Sequence, residues 1–301
     1  MLSTIRWICR FYKIVDTKPF VIPDIPLKKH LKRELLHATE LIRAELLCSV
    51  RKHRTDIVES THLTRKRLKL FRAFFKLLKE CGDRKELKEL NTTFRKWGQS
   101  LSELRDVHVH KLFIEEVIAN PSEVISTNLL QEIREIARQQ VDQMEQRLVA
   151  EGDLFKNMER QIDNYSLIHT FIESNQFDAA CILKGFKVSF QKSHQAFIEA
   201  ESSKLSEPFH EWRKRLKDVQ YQLDLLRSHQ KHINVSVSDV EQICEILGKD
   251  QDLNNFIHWM DKLNLNTKSV KDWVLSLRKS QHGLKHQLIA EGNRFYKHSS
   301  I

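Results

Sequence analysis

The sequence predicts an all-α protein in which two four-helix bundles, related by a pseudo-twofold axis, form one compact helical domain around a basic central channel. Three observations predict this fold. First, only 7 Gly and 5 Pro interrupt 301 residues, too few for the turns of an all-β or Rossmann-type fold. Second, Leu, Lys, Glu, Arg and Gln, which favour helices, dominate the composition. Third, an internal repeat divides the chain into two similar halves.

The internal repeat is marked by three pairs of similar segments in the same order. The sequence Arg-Lys-Arg-Leu-Lys at 65–69 recurs unchanged at 213–217, and a histidine, His62 or His210, lies three residues before each copy. The other two pairs are segments 101–107 and 247–253, and segments 148–153 and 288–293. Because the members of each pair are separated by nearly the same number of residues, they indicate a duplicated unit.

The chain is predicted to consist of an N-terminal arm, residues 1–26, and a helical domain, residues 27–301, whose half-repeats are 27–160 and 161–301. The arm ends in an extended stretch with two prolines, which exclude a helix. Helical periodicity predicts four helices in each half-repeat. They lie near 28–52, 57–80, 85–117 and 124–160 in the first, and near 165–202, 206–230, 236–262 and 266–297 in the second.

Local signals mark several helix ends. Asp56, three residues before Glu59, predicts the start of the second helix, and Gly82 predicts its end. Ser206, followed by Pro208, predicts the start of the helix that carries the second copy of the repeated motif.

The net charge of +10 and the pI of about 9.3 favour an anionic partner. The cysteines show no metal-ligand spacing, which predicts free thiols in a reducing cytosol. They are Cys9, Cys48, Cys81, Cys181 and Cys244. Since no apolar run is long enough to span a membrane and charged residues interrupt the N-terminal apolar stretches, we expect a cytoplasmic protein without a signal peptide or a membrane contact.

The first copy of the repeated motif is predicted to lie on a helix with two distinct faces. At about 100° per residue, His62 and a stripe of cations fall on one side, and no acidic residue lies between His62 and Lys79. The predicted ligand-binding residues of this copy are His62, Arg65, Lys66, Lys69, Arg72 and Lys76. The other side is apolar and includes Phe71, Phe74 and Leu77.

The second copy repeats this geometry with two departures. Its predicted ligand-binding residues are His210, Arg213, Lys214, Lys217, Tyr221 and Arg227. Gln220 and Asp224 stand where the first copy carries cations. Because Asp224 lies about one helical turn from Tyr221 and Arg227, we expect it to orient them.

The chemistry of these side chains points to phosphate. Arginine presents fork-shaped donors, lysine a compact charge, and histidine a donor that depends on protonation near neutral pH. Cations along one stripe repel each other until a dense polyanion neutralises them. On a single helix such a stripe is more often a solvated face, but its recurrence across the repeat favours two stripes that face one cavity. For His62 and His210, structural roles and ligand contacts are equally compatible with the sequence.

The two motifs resemble the signature helices of the CHAD domain, the conserved histidine α-helical domain. They have the form His-x-x-Arg-x-x-x-Lys-x-x-Arg from His62 and His-x-x-Arg-x-x-x-Lys-x-x-Gln-Tyr-x-x-Asp from His210. Segments 104–107 and 247–252 are similar to the family's Leu-Gly-x-x-x-Asp segments. The resemblance spans essentially the whole chain after the arm.

This resemblance implies two four-helix bundles with a basic central channel that binds inorganic polyphosphate through its Lys and Arg residues. It also implies an association with polyphosphate granules. Some members of the family carry a triphosphate-processing CYTH domain, and no such domain fits in this chain, so the protein is predicted not to be an enzyme. The sequence departs from the family at Gln220 and at His108, where the family often carries Asp, and these departures are expected to weaken one end of the channel.

Three other functions remain as alternatives. Nucleic-acid binding would use aromatic stacking platforms, but Phe71, Phe74 and Phe75 lie away from the stripe. A phosphohydrolase or metal-dependent enzyme would need convergent metal ligands or an activated water, and the motif histidines lack such spacing. A helical scaffold could instead bind an acidic protein through its positive face. No catalytic residue, metal ligand or cofactor is predicted, and Asp106 and Asp252 are interpreted as caps or buttresses of neighbouring helices.

Overall fold

The computed structural model describes residues 31–82, 84–120, 125–150, 153–163, 172–173, 179–227, 233–265 and 267–299. Within these ranges the protein has ten α-helices and no strand, which confirms the all-α prediction. The helices are α1 Leu31–Arg51, α2 Ile57–Leu78, α3 Arg84–Ser100, α4 Ser102–Ala119, α5 Thr127–Ala150, α6 Asp153–Asp163, α7 Ala179–Ser203, α8 Ser206–Leu225, α9 Val237–Lys262 and α10 Lys268–His298. The predicted arm, residues 1–26, lies outside the described residues.

Several predicted helix boundaries are close to the observed ones, but the helix predicted at 85–117 is split in two. It is α3 and α4, which meet at Leu101, and the range predicted at 124–160 contains α5 and α6. The helix α8 ends at Leu225, earlier than predicted. Most of the segment 165–178, predicted as the start of α7, lies outside the described residues.

The break at Leu101 has a local cause. The hydroxyl of Ser100 donates to the Lys96 carbonyl at 3.2 Å, and the hydroxyl of Ser102 donates to the Gln99 carbonyl at 2.5 Å. Such bonds from serine to the preceding turn bend helices. In addition, the carbonyl of Gly98 accepts a hydrogen bond from the guanidinium of Arg65 on α2. Apolar residues on both sides of the break face the core. The helical periodicity of the sequence therefore continues across the break and gives no sign of it.

Side-chain caps fix the starts of three helices. The backbone N–H of Glu59 donates to Asp56 Oδ1 at 2.8 Å, which confirms the predicted start of α2. Ser236 and Thr267 cap α9 and α10 in the same way, by accepting from the N–H three residues later. Each cap satisfies a backbone donor that has no partner within its helix.

The helices of the two halves pack in the same order. In the first half, α1 contacts α2, α2 contacts α3 and α4 contacts α5; in the second, α7 contacts α8, α8 contacts α9 and α9 contacts α10. The helices α2 and α8, which carry the two copies of the repeated motif, also contact each other. This order is what a duplicated unit gives, whereas the pseudo-twofold axis and the boundaries of the half-repeats stay predictions.

The helices α2 and α7 cross at very short distance. Gly185 on α7 has its Cα so close to the backbone of α2 that a Cβ there would overlap the Leu77 carbonyl oxygen. Next to this crossing, the buried amide of Gln222 on α8 donates to the Ala73 carbonyl at 2.9 Å and to Ser189 Oγ at 3.0 Å. These contacts connect α2 of the first half to α7 and α8 of the second, and they fix where the cations of α2 lie relative to α8.

A disulfide joins the two halves at the same crossing. Cys81, just after α2, is bonded to Cys181 on α7, across a sequence separation of 100 residues. The expectation that all cysteines are free thiols is therefore wrong for this pair, while Cys48 and Cys244 are free and Cys9 lies outside the described residues. In the chain-entropy model, closing a loop of this length stabilises a protein by about 4–5 kcal/mol.

Candidate anion-binding site

The helix α2 has the two faces that its sequence predicts. Its apolar face is buried, and five large side chains on it are at most 1% exposed: Leu68, Phe71, Phe74, Leu77 and Leu78. The aromatic residues of this face pack with Phe94 of α3, at ring-centroid distances of 5.3 Å from Phe71 and 5.4 Å from Phe75. The cations of α2 are therefore directed away from the core of the first half.

Five cations from three helices lie together where α2 meets α8. We call them the cation cluster: Arg65 and Lys69 on α2, Arg105 on α4, and Arg213 and Lys217 on α8. Lys69 lies at its centre, and burial together with the charges of the other four lowers the pKa of Lys69 well below its ordinary value. Lys69 nevertheless remains accessible to solvent.

The cluster contains hydrogen-bond donors that the described part of the protein does not satisfy. Arg105 Nη1 and Arg213 Nε are buried without an acceptor among the described residues. Arg65 donates to the Gly98 carbonyl, and Lys217 Nζ donates to Gln220 Oε1 at 2.8 Å. Because buried donors are normally paired, the two orphaned guanidinium nitrogens mark a place that suits an oxygen-rich anion.

Two carboxylates lie beside the cluster but do not neutralise it. Burial raises the pKa of Asp106, the charges of Arg65 and Arg105 lower it, and the nearby charge of Asp252 raises it further. The two aspartates that the sequence places at equivalent positions are thus close to each other. Asp106 contributes an attractive charge to Arg65, in line with a buttressing role. Two more carboxylates, those of Asp224 and Glu241, lie near Lys217 and favour its charged form, so five cations face four carboxylates and a small excess of positive charge remains.

The other predicted residues of α2 are engaged by protein partners. Lys76 Nζ lies 2.5 Å from Asp218 Oδ2, and Arg72 Nε donates to Asn91 Oδ1 at 3.0 Å. Lys66 lies close enough to Asp224 of α8 to lower the pKa of that carboxyl. The structure therefore brings Arg65 and Lys69 together with the second motif, whereas Arg72 and Lys76 form a separate group.

Several of the remaining predicted residues lie around the carboxylate of Asp224, near the end of α8. Burial raises the pKa of Asp224 to about 6, and the charges of Arg227, Lys217 and Lys66 act in the opposite direction. Burial likewise raises the pKa of Tyr221 to about 12, so that its phenol is protonated at neutral pH. Lys214 is exposed and paired with Glu211 at 2.5 Å. Glu211 also pairs with Arg215 at 2.7 Å, so Lys214 shares one carboxylate of its own helix with a second cation.

The family model of the CHAD domain matches residues 35–261. The chain belongs to the CHAD domain family. Two solved structures share its fold. The CHAD domain from the plant Ricinus communis superposes with a TM-score of 0.56 at 15% identity, covering 93% of this chain and 96% of the other. PptA from Streptomyces chartreusis superposes with a TM-score of 0.60 at 12% identity, covering 88% of this chain and 99% of the other. Among curated proteins, none matches the chain in sequence.

Burial keeps His62 and His108 of this CHAD domain neutral at pH 7. Burial, followed by the charge of Arg105, lowers the pKa of both His62 and His108 to about 4. Burial also lowers the pKa of His210, whose Nδ1 lies 2.5 Å from Gln251 Oε1. In the free protein, burial and then the neighbouring cations oppose protonation of His62 near neutral pH, whereas its role as a ligand contact stays a prediction.

Arg105 is the member of the cluster that the sequence-based prediction missed. It is not on either motif helix, and it reaches the cluster from α4. Its signal in the sequence is its position directly before Asp106, which the internal repeat had already marked. Its importance is visible in the electrostatics, since its charge acts on Arg65, Lys69 and His62.

The described residues contain neither a metal centre nor a membrane span. No group of three or more His, Cys, Asp or Glu side chains among them is arranged to hold a metal ion. None of the helices in the described ranges is both long and apolar enough to cross a membrane.

Replacing His110 by phenylalanine is expected to stabilise the CHAD domain increasingly as the pH falls from 6.5 towards 4. His110 is buried against Trp259 with neither ring nitrogen bonded within the described chain, and burial lowers its pKa to about 4 although Asp252 acts to raise it. Between pH 4 and 6.5, His110 binds a proton in the unfolded state but stays neutral in the folded state. Acidification over this range therefore destabilises the wild type. Thermal melts at pH 7.5 and pH 5 measure the difference between variant and wild type.

This comparison isolates one group, which a melt of the wild type alone does not. The raised pKa values of Asp224 and Asp250, both about 6, produce the opposite pH dependence and offset the histidines in the whole protein. A difference in melting temperature between the His110→Phe variant and the wild type that stays constant from pH 7.5 to pH 5 would contradict the prediction.

Proposed function

We propose that this CHAD domain binds inorganic polyphosphate, without catalysis, through the cation cluster. The observation that carries the proposal is Lys69, an accessible ammonium whose surroundings contribute four further cations and whose pKa they lower. A polymer with a negative charge at every phosphate relieves this repulsion and supplies acceptors for the orphaned donors of Arg105 and Arg213.

The position of the aromatic side chains favours polyphosphate over nucleic acid. Proteins that bind single strands stack the bases on aromatic rings within a basic groove. Here Phe71, Phe74 and Phe75 are at most 2% exposed and belong to the core. The cluster thus offers charge and hydrogen-bond donors, but the phenylalanines of α2 offer it no stacking platform.

Binding isotherms with long-chain polyphosphate over a series of salt concentrations test the proposal. A variant with Arg65, Lys69, Arg213 and Lys217 replaced by alanine is expected to bind at least about 100-fold more weakly, because each charge-assisted contact contributes about 1.5–3 kcal/mol. Its affinity should also depend less steeply on salt, since roughly four fewer phosphates are neutralised. The matched control replaces four exposed lysines by alanine: Lys187, Lys192, Lys262 and Lys271.

Four outcomes bear on the proposal. Equal loss of affinity in the two quadruple variants would reduce the effect to net charge and overturn it. Preferential binding of RNA in a competition titration would favour the nucleic-acid alternative, and failure to bind any polyphosphate would favour an acidic protein partner. Release of phosphate from polyphosphate with divalent metal present would overturn the non-catalytic part. A cytoplasmic location at polyphosphate granules belongs to the same proposal, although a reducing cytosol disfavours the Cys81–Cys181 disulfide, and microscopy of a tagged protein tests it.

A further inference from the structure

A second group of cations lies beyond the cation cluster along α2. We call it the outer cation group: Arg72 and Lys76 on α2, Arg95 on α3 and Arg215 on α8. Arg72 is close enough to Arg95 and Arg215 for both charges to lower its pKa, and Arg215 acts on Lys76 in the same way. The helices α3 and α8 both contact α2, which explains how the four side chains converge.

Two carboxylates of α8 face these cations: Glu211 Oε1 lies 2.7 Å from Arg215 Nη2, and Asp218 lies next to Arg72 and Lys76. Asp218 Oδ2 is 2.5 Å from Lys76 Nζ, and 13% of its side chain is exposed, against 28% for that of Lys76. Its charge also favours the charged form of Arg72. Asp218 therefore places a carboxylate in the middle of the outer cation group. Without it, the oxygens of a bound phosphate would contact the same cations there.

The outer cation group continues the line of the cation cluster. Arg72 and Lys76 follow Lys69 by three and seven residues on one helix, so Lys76 lies about 10 Å farther along the axis. A phosphate chain that contacts Lys69 and follows α2 in this direction meets the carboxylate of Asp218. Because like charges repel and Lys76 is already paired, the chain gains little from Lys76 unless it displaces Asp218.

We propose that the outer cation group is a second phosphate subsite, that Asp218 competes with phosphate for it, and that this competition limits the length of polyphosphate bound tightly. The proposal rests on the proposed function, and it adds a determinant of chain length. A short chain such as triphosphate is bound by the cation cluster alone. A long chain is bound by the same contacts until Asp218 loses its charge.

The Asp218→Asn variant tests the proposal because it keeps the shape of the side chain and removes its charge. Affinities for triphosphate and for a long polyphosphate of defined length are measured by calorimetry at several salt concentrations. For the long chain we expect a gain of about tenfold and a steeper salt dependence, since about two more phosphates are neutralised. For triphosphate we expect a change of less than about twofold, because that chain does not reach Lys76.

A double-mutant cycle assigns the gain to the subsite. Lys76→Met is expected to change long-chain affinity little in the wild type, where Asp218 neutralises Lys76, and to remove much of the gain in the Asp218→Asn background. The control Asp261→Asn breaks the exposed Arg278–Asp261 pair, whose atoms lie 2.6 Å apart, and changes the net charge equally. Thermal melts confirm that every variant folds.

The outcomes separate this proposal from the proposed function. If the wild type binds long polyphosphate but Asp218→Asn gains no more than Asp261→Asn, the competing role of Asp218 is overturned and the cation cluster stands. If the wild type binds neither triphosphate nor long polyphosphate, both proposals fail. The wild type alone provides a further test that needs no variant. Its affinity should stop rising once chains exceed the span of the cation cluster, and a continued steep rise with length overturns the limit.

Discussion

Replacing Lys69 by methionine is expected to stabilise the free protein and to weaken polyphosphate binding. Methionine has a similar length but removes a charge that four neighbouring cations and burial both disfavour. Because Lys69 is solvent-accessible, water screens this repulsion, and we expect the melting temperature to rise by at most about 2 °C. Polyphosphate affinity should fall about 10- to 100-fold through the loss of one charge-assisted contact. Thermal melts and isotherms of the same preparation measure both effects.

The control is Lys192→Met on α7, where the lysine is exposed and lies outside both motifs. This variant should change neither the melting temperature nor the affinity measurably. A Lys69→Met variant that is less stable than the wild type would show that Lys69 has a structural partner. Unchanged polyphosphate affinity in that variant would remove Lys69 from the binding site.

The opposite signs of the two effects distinguish a ligand-binding cation from a structural one. When a lysine stabilises the fold through an ion pair, its replacement destabilises the protein. When the charge of a lysine is unfavourable in the free protein, its replacement stabilises the protein. The presence of such a lysine is explained only by a partner that neutralises its charge. Sites that bind or react commonly carry this kind of destabilising arrangement.

The part of the site that lies on the two motif helices was predictable from the sequence. Helical periodicity determines which side chains share a face, so the stripe with Arg65 and Lys69 and the buried face with Phe71 and Phe74 follow from spacing alone. The duplication added the expectation that a second stripe confronts the first. The contact between α2 and α8, and the charges of Arg213 and Lys217 on Lys69, agree with it.

The partners of those side chains were not predictable, because they depend on contacts between distant segments. Periodicity assigns Lys76 to the stripe, but only the packing of α8 against α2 reveals its pairing with Asp218. Arg105 reaches the cluster from α4. The start of α4 at Ser102 depends on the hydrogen bond that the Ser102 hydroxyl donates and on the one that the Gly98 carbonyl accepts. The disulfide of Cys81 was missed because cysteines 100 residues apart show no local motif.

Replacing Gly185 by alanine is expected to destabilise the protein by about 3 kcal/mol or more. A Cβ at residue 185 would overlap the carbonyl oxygen of Leu77 and lie 2.9 Å from its carbonyl carbon. Both are backbone atoms in the last turn of α2, so relief requires α2 and α7 to separate, and overpacking of this kind costs more than a side-chain adjustment. The free energy of unfolding is measured by urea denaturation.

Gly283→Ala on α10 provides the matched control, because a Cβ there meets no atom within 4 Å. That variant should be stabilised by roughly 0.5–1 kcal/mol, since alanine favours a helix interior more than glycine does. Equal effects of the two substitutions would contradict the close crossing of α2 and α7. Because this crossing fixes the position of α2 against α8, Gly185→Ala should also weaken polyphosphate binding at temperatures where the variant is folded, whereas Gly283→Ala should leave it unchanged.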